Sequence, residues 1–219
     1  MKLDEINAAK HILLIVNSST FANASALYTY ILTLHKKISM QSSEPLKREL
    51  SFLPWFEKCR QNSTSNADLV IEVSGDTAAL YSKLKEQKIK INAKMATALY
   101  AGLLIRYENF QSDTCDGTIF AMASTLIEEK ADYKRSHEYL QRREALSTFR
   151  LRAKLFETLL LTESATHAKL FVDANMLTAT GASVESAKVL IAEALKIVHV
   201  AKVTLYKSDE NNKILKEID

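Results

Sequence analysis

The 219-residue sequence predicts an α/β fold: a parallel sheet flanked by helices, then a long connector helix, then a small C-terminal β-α-β piece. Three observations carry this expectation. HILLIV at residues 11–16 is a continuous apolar run closed by the polar NSST, the pattern of a strand buried on both faces. Strand-like HILLIV, KISMQ and DLVIEV are interspersed with segments of helical periodicity, the order expected of a parallel sheet with crossover helices. From Asn92 almost to Leu161, helical patterns follow one another without a strand, which adds a helical layer.

Taken in order, ASALYTYILTLHKK repeats apolar residues at helical spacing, with Ala26, Tyr30 and Leu34 on one side. Lys36 and Lys37 place positive charge near its C-terminal end, where the helix dipole favours it. KISMQ reads as a short second strand. SSEPLKRELSFLPWFEKCRQNSTSN is a mixed connection that holds both prolines, and its Trp55 is a packing residue or a partner anchor. Asp68 to Val73 resumes a strand, and DTAALYSKLKEQ is a helix capped by Asp76 or Thr77. Three helical segments follow: NAKMATALYAGLLIRYENF, DGTIFAMASTLIEEK and a connector from Lys134 to Leu161. AKLFVDA, SVESAKVLIAEALKIV and KVTLYKS complete the β-α-β piece. The expected organisation is a domain over 1–133, a connector over 134–163 and a subdomain over 164–219, jointed at Ser164-Ala165-Thr166.

Hydrophobic residues make up 47% of the chain, enough for a real core. No apolar run reaches the roughly 18 residues of a membrane span, and no leader pattern precedes the first strand. A cytoplasmic protein without a membrane partner is expected. Cys59 and Cys115 stand far apart without a metal-type spacing and read as free, at least half-buried thiols. A net charge of +3 is too small to demand a nucleic-acid partner. With four glycines and neither GxGxxG nor GxxxxGK[ST], the chain lacks the glycine-rich loops of dinucleotide and P-loop chemistry.

HILLIV followed by a loop and ASALYTYILTLHKKI resembles the opening of the DHH phosphoesterases. FLPW, ADLVIEV and DTAALYSKLKEQKIKINAKMATALYAGLL resemble later stretches in the same order, and DGTIFAMASTLIEEKADYKRSHEYLQRREALSTFRL continues them. The match is strongest over 76–155 and nearest to the RecJ-like, nanoRNase and pAp-phosphatase branch. The resemblance implies a DHH-like sheet domain and a C-terminal piece similar to a truncated DHH-associated domain. In the family, Asp and His side chains hold two divalent cations, usually manganese, which activate water against a phosphoester.

The metal motifs themselves depart from the family pattern. Asn17-Ser18-Ser19-Thr20-Phe21-Ala22-Asn23 has neither His nor Asp in the first loop. After ADLVIEV stands Ser74, which leaves Asp76 as the one nearby carboxylate, and the Asp-His-His signature is absent. ATALYAGLLIRYENF places Arg106 where the family has a ligand Asp. The chain stops soon after KVTLYKS, before the glycine- and histidine-rich motif with which similar proteins hold substrate. Hard cations need several anionic oxygens, so these losses imply a degenerate member with no metal, no catalytic residue and a binding or scaffold role.

The first loop follows the carboxyl end of a strand, where open α/β sheets bind ligands. Asn17, Ser18, Ser19, Thr20, Asn23, Asp76 and Arg106 are therefore the ligand candidates. In the connector, Arg135, Arg142, Arg143, Arg150 and Lys154 share a sector of roughly 120° with Tyr139, provided the helix is continuous. They could grip phosphates and stack a base, or form a solvated face paired with Glu138 and Glu144. Five separated histidines suggest no metal site. The expectation is a protein partner or self-association, with metal-free nucleic-acid binding through the connector as one alternative. The other alternative is a divergent phosphoesterase that uses manganese on short oligonucleotides or nucleoside bisphosphates, with ligands among Asp68, Glu72, Asp76, Glu108 and Asp113.

Overall fold

A computed structural model describes residues 3–61, 66–142 and 144–219. The chain forms two compact units, residues 1–143 and 144–219.

The first unit contains α1 (Leu3–Ala8), β1 (His11–Val16), α2 (Phe21–Thr33), β2 (Lys37–Ser42), β3 (Cys59–Gln61), β4 (Leu69–Glu72), α3 (Thr77–Glu86), α4 (Ala93–Arg106), α5 (Gly117–Glu128) and α6 (Tyr133–His137). A π-helical turn, Glu138–Arg142, extends α6. The sheet is all parallel in the order β3-β2-β1-β4, so HILLIV is an inner strand. Ile12, Leu13, Leu14 and Val16 are buried from both faces. The mixed α/β architecture, with its four-stranded parallel sheet and flanking helices, matches the expected fold class.

Two local expectations need correction. The segment read as an amphipathic helix, α2, is buried along Phe21 to Ile31 on every side, because it packs on β1 and β2 and is itself covered by α4. A helix hydrophobic all round belongs in a core. The connection over 42–66 hides the strand β3, only three residues long and thus too short for a periodic signal. Trp55 packs that connection. Its ring stacks on Tyr28 at 5.1 Å, its indole N–H donates to Thr29 Oγ1 at 2.9 Å, and the Lys94 ammonium lies 4.9 Å from the ring.

The second unit holds α7 (Leu146–Glu157), β5 (Leu160–Thr162), β6 (His167–Val172), α8 (Ala174–Thr180), α9 (Val184–Leu190), a 3-10 segment (Ile191–Lys196), β7 (Lys202–Lys207) and β8 (Lys213–Ile218). Its sheet runs β5-β6-β7-β8, with the expected β-α-β pair β6 and β7 parallel at the centre and an antiparallel strand at each edge. Leu151 and Leu155 of α7 reach Leu170, Val172, Val203 and Leu205 in one core.

The stretch read as one connector helix is two helical segments and a strand. Ala145 is extended, with φ −65° and ψ 138°, which ends any continuous helix before α7 begins. The units divide next to this point, and Glu163, Ser164 and Ala165 instead make the turn of the β5–β6 hairpin. Among the described residues no helix is long and apolar enough to cross a membrane. Cys59 and Cys115 are free and half-buried, and burial pushes the Cys59 thiol up to about 11.

The low glycine count shows at the helix ends. Among the described residues four helices close with a six-to-one backbone bond, from Ile89 to Leu84, Asn109 to Leu104, Ala131 to Leu126 and Ala182 to Leu177. This closure puts one residue in the left-handed region. Gly181 fills that place once, while Lys88, Glu108 and Lys130 fill it elsewhere with φ of 55°, 49° and 69°. Glu108→Gly and Lys130→Gly are each expected to stabilise the first unit by about 0.5–1 kcal/mol, read as a higher urea midpoint, since glycine relieves the Cβ strain there.

Candidate functional site

The carboxyl ends of β1 and β2 open into a cavity of about 460 Å³. Its first wall is the loop after β1. Asn17 Oδ1 accepts hydrogen bonds from Ser19 N (2.9 Å), Ser19 Oγ (2.7 Å) and Thr20 N (3.1 Å), and Thr20 Oγ1 accepts from Asn17 N (3.0 Å). The polar side chains thus hold the loop in a turn that leads into α2. The second wall follows β2. Lys47 N donates to Ser18 Oγ at 3.1 Å, and Ser42 Oγ donates to the Glu44 carbonyl at 2.7 Å. Ile105 of α4 and Leu50 supply apolar surface. Lys47 and Glu49 form a loose ion pair at 3.8 Å, and Glu44 also faces the cavity, so two carboxylates stand against one ammonium.

Asn17, Ser18 and Ser19 line this cavity together. Thr20 lies buried behind the loop, its hydroxyl bound to Asn17. Asn23 is not a ligand group in this arrangement: its side chain is 2% exposed, donates from Nδ2 to the Ser74 carbonyl at 2.8 Å and accepts from Thr77 Oγ1 at 2.8 Å. That bridge fastens the first turn of α2 to the segment after β4. Asp76 caps α3, with Oδ1 accepting from Ala79 N at 2.9 Å. Arg106 closes α4 with its guanidinium 5.8 Å from the Tyr107 ring, and is exposed. Burial and then the Asp76 charge raise the Tyr107 hydroxyl above its ordinary pKa.

The other carboxylates stand elsewhere. Asp68 Oδ2 accepts from Lys10 N at 3.0 Å and His11 N at 2.9 Å, at the amino ends of β1 and β4. Those two backbone bonds, first the one from His11, lower its pKa. A six-residue strand separates it from the carboxyl edge by roughly 20 Å. Glu72 lines a different cavity of about 370 Å³ beside β4. Glu108 and Asp113 are exposed in the segment after α4. Among the described residues no three His, Cys, Asp or Glu side chains come close enough to share a metal ion. Two hard cations, each needing several anionic oxygens, do not fit the carboxyl edge of this sheet, where Asp76 caps a helix, Glu49 pairs with Lys47, and no cluster of three such side chains forms among the described residues.

No family model matches the chain, and no curated protein matches it. The fold has a counterpart among solved structures. An exopolyphosphatase-related protein from Bacteroides fragilis superposes with a TM-score of 0.74 over 97% of this chain and 80% of its own, at 10% sequence identity. The chain shares the α/β fold of that protein. A Methanococcus jannaschii protein assigned to the family II inorganic pyrophosphatases aligns at 12% identity over 90% of this chain and 83% of its own, with a TM-score of 0.35 too low to bear on the argument.

The basic set of the connector is split. Arg135 lies over the Tyr139 ring at 5.5 Å, next to the end of the first unit. Arg150 and Lys154 are exposed on α7 in the second. The backbone of Arg142 ends the π-helical turn, and Arg143 lies outside the described residues. The shared sector presupposed one unbroken helix, which the extended Ala145 excludes. Sequence reasoning missed Ser42, Glu44, Lys47 and Glu49 as cavity residues. They sit in the irregular connection, and its one usable signal was position directly after a strand.

Proposed function

We propose that this chain is a phosphoesterase-fold protein that binds without hydrolysing and serves as a binding or scaffold module. Its ligand site is the cavity at the carboxyl edge of the first sheet, and it takes a neutral polar group there. One observation carries the reading: the edge where phosphoesterase chemistry would need a cluster of carboxylates presents Asn17, Ser18, Ser19 and Ser42 beside two separate glutamates, Glu44 and Glu49, and no group of three His, Cys, Asp or Glu forms there among the described residues. Glu44 and Glu49 outnumber Lys47, so a phosphate in the cavity would meet net negative charge. Hydroxyl and amide groups instead match a ligand that both donates and accepts hydrogen bonds.

The test is incubation of the full chain with manganese and either a short oligonucleotide or pAp, following product release. No turnover above buffer is expected. Manganese-dependent cleavage that disappears in Asp76→Asn would overturn the reading and restore the divergent phosphoesterase.

A further inference from the structure

The second unit carries an exposed apolar surface on α7. Leu151 and Leu155 of α7 are fully buried. At 100° per residue, Leu146, Phe149 and Ala153 point the opposite way, with Phe156 at their margin. Leu146 and Phe149 are each 60% exposed and adjoin on neighbouring turns of one helix, which makes a contiguous apolar patch rather than scattered side chains. Beside them, Phe149, Ala153 and Phe156 join Lys196 of the 3-10 segment around a groove of about 310 Å³.

The rim of this surface is charged on one side of the balance. Glu144 and Glu193 are both taken by Arg152, which binds Glu144 through Nη1 at 2.5 Å and Nη2 at 2.7 Å, and Glu193 through Nε at 3.0 Å. Arg150, Lys154 and Lys196 make no ion pair among the described residues. Glu157, at the end of the stripe, is the one unpaired carboxylate beside them. An apolar stripe about three turns long with three free cations against one free anion calls for a partner of complementary pattern.

We propose that the α7 face of the second unit is a docking surface for an acidic amphipathic helix of another protein, whose apolar residues at i, i+3 or i+4 and i+7 cover Leu146, Phe149 and Phe156. Its flanking Asp or Glu side chains meet Arg150, Lys154 and Lys196. A second copy packing α7 on α7 is disfavoured, because Arg150 and Lys154 would face their own images. Nucleic acid is disfavoured by the centre of the surface, where phosphates would leave Leu146 and Phe149 uncovered. The proposal does not depend on the cavity of the first unit.

The probe is a labelled 18-residue synthetic helix, leucine on one face and glutamate elsewhere, titrated with the full chain by fluorescence anisotropy; its twin carries lysine for glutamate. The acidic peptide is expected to bind at least about tenfold more tightly than the basic one. Phe149→Ser and Leu146→Ser should each weaken it by about tenfold with an unchanged melting temperature, since both side chains are exposed. Arg150→Glu combined with Lys154→Glu should reverse the preference between the peptides. Equal or absent binding of the two peptides, or an unchanged affinity in Phe149→Ser, overturns the proposal. So does displacement of the peptide by a single-stranded oligonucleotide, or a chain dimer that Phe149→Ser dissolves.

Discussion

Gly102→Val is expected to destabilise the first unit by about 3 kcal/mol or more, the upper range for forcing extra atoms into a packed core. A Cβ at this position of α4 would lie 2.6 Å from Thr77 Oγ1, 2.9 Å from Asn23 Oδ1 and 3.0 Å from Thr77 Cγ2. None of these atoms is free to retreat, because Thr77 is buried and its hydroxyl is bonded to Asn23, which in turn holds Ser74. Gly102→Ala should cost less, about 1–2 kcal/mol, since alanine recovers roughly 1 kcal/mol of helix propensity against the same clash. The single tryptophan, Trp55, lies in the first unit, so its fluorescence in a urea titration reads this unit alone. Thr77→Ala removes two of the three clashing atoms and should make Gly102→Ala cheaper than in the parent. A Gly102→Val midpoint equal to the parent's would show that α4 is not packed this closely against α3 and α2.

Asn23→Asp is expected to cost about 3 kcal/mol in the same titration. A carboxylate can still accept from Thr77 Oγ1, yet it cannot donate to the Ser74 carbonyl, and at 2% exposure the new charge has lost its water. Asn23→Ala should cost about 2 kcal/mol, because it strands the Ser74 carbonyl and the Thr77 hydroxyl without introducing a charge. The ordering separates a structural amide from a ligand group. If Asn23 served a ligand in the cavity, alanine would leave stability near the parent value.

How much of this was legible in the sequence differs by element. HILLIV could be read because a strand buried on both faces is apolar throughout, DLVIEV could be read from its short run of Leu, Val and Ile although β4 is an edge strand with Val70 exposed, and Asp76 could be read as a cap because a carboxylate before TAAL satisfies an orphan helix N–H. The strand Cys59–Gln61 could not, being three residues of CRQ paired only along one side of β2. The single connector helix failed at Ala145: neither proline nor glycine marks the break, and helical periodicity holds on both sides of it. In the site, the loop after β1 was identified by its place at a strand's carboxyl end. Asn23 was grouped with that loop because it is a polar residue only three positions after Thr20, although the start of α2 turns it inward to a bond partner 51 residues away. Lys47 and Glu49 had no motif to announce them; only the packing of an irregular connection against Ser18 brings them to the cavity.

If the carboxyl edge of the first sheet holds polar groups in place of a metal site, as proposed, manganese finds no cluster of anionic oxygens there. Calorimetric titration of the full chain with manganese tests it most directly. No saturable heat is expected up to millimolar manganese, with Asp76→Asn indistinguishable from the parent. Stoichiometric binding in the micromolar range, lost in Asp76→Asn, would contradict it.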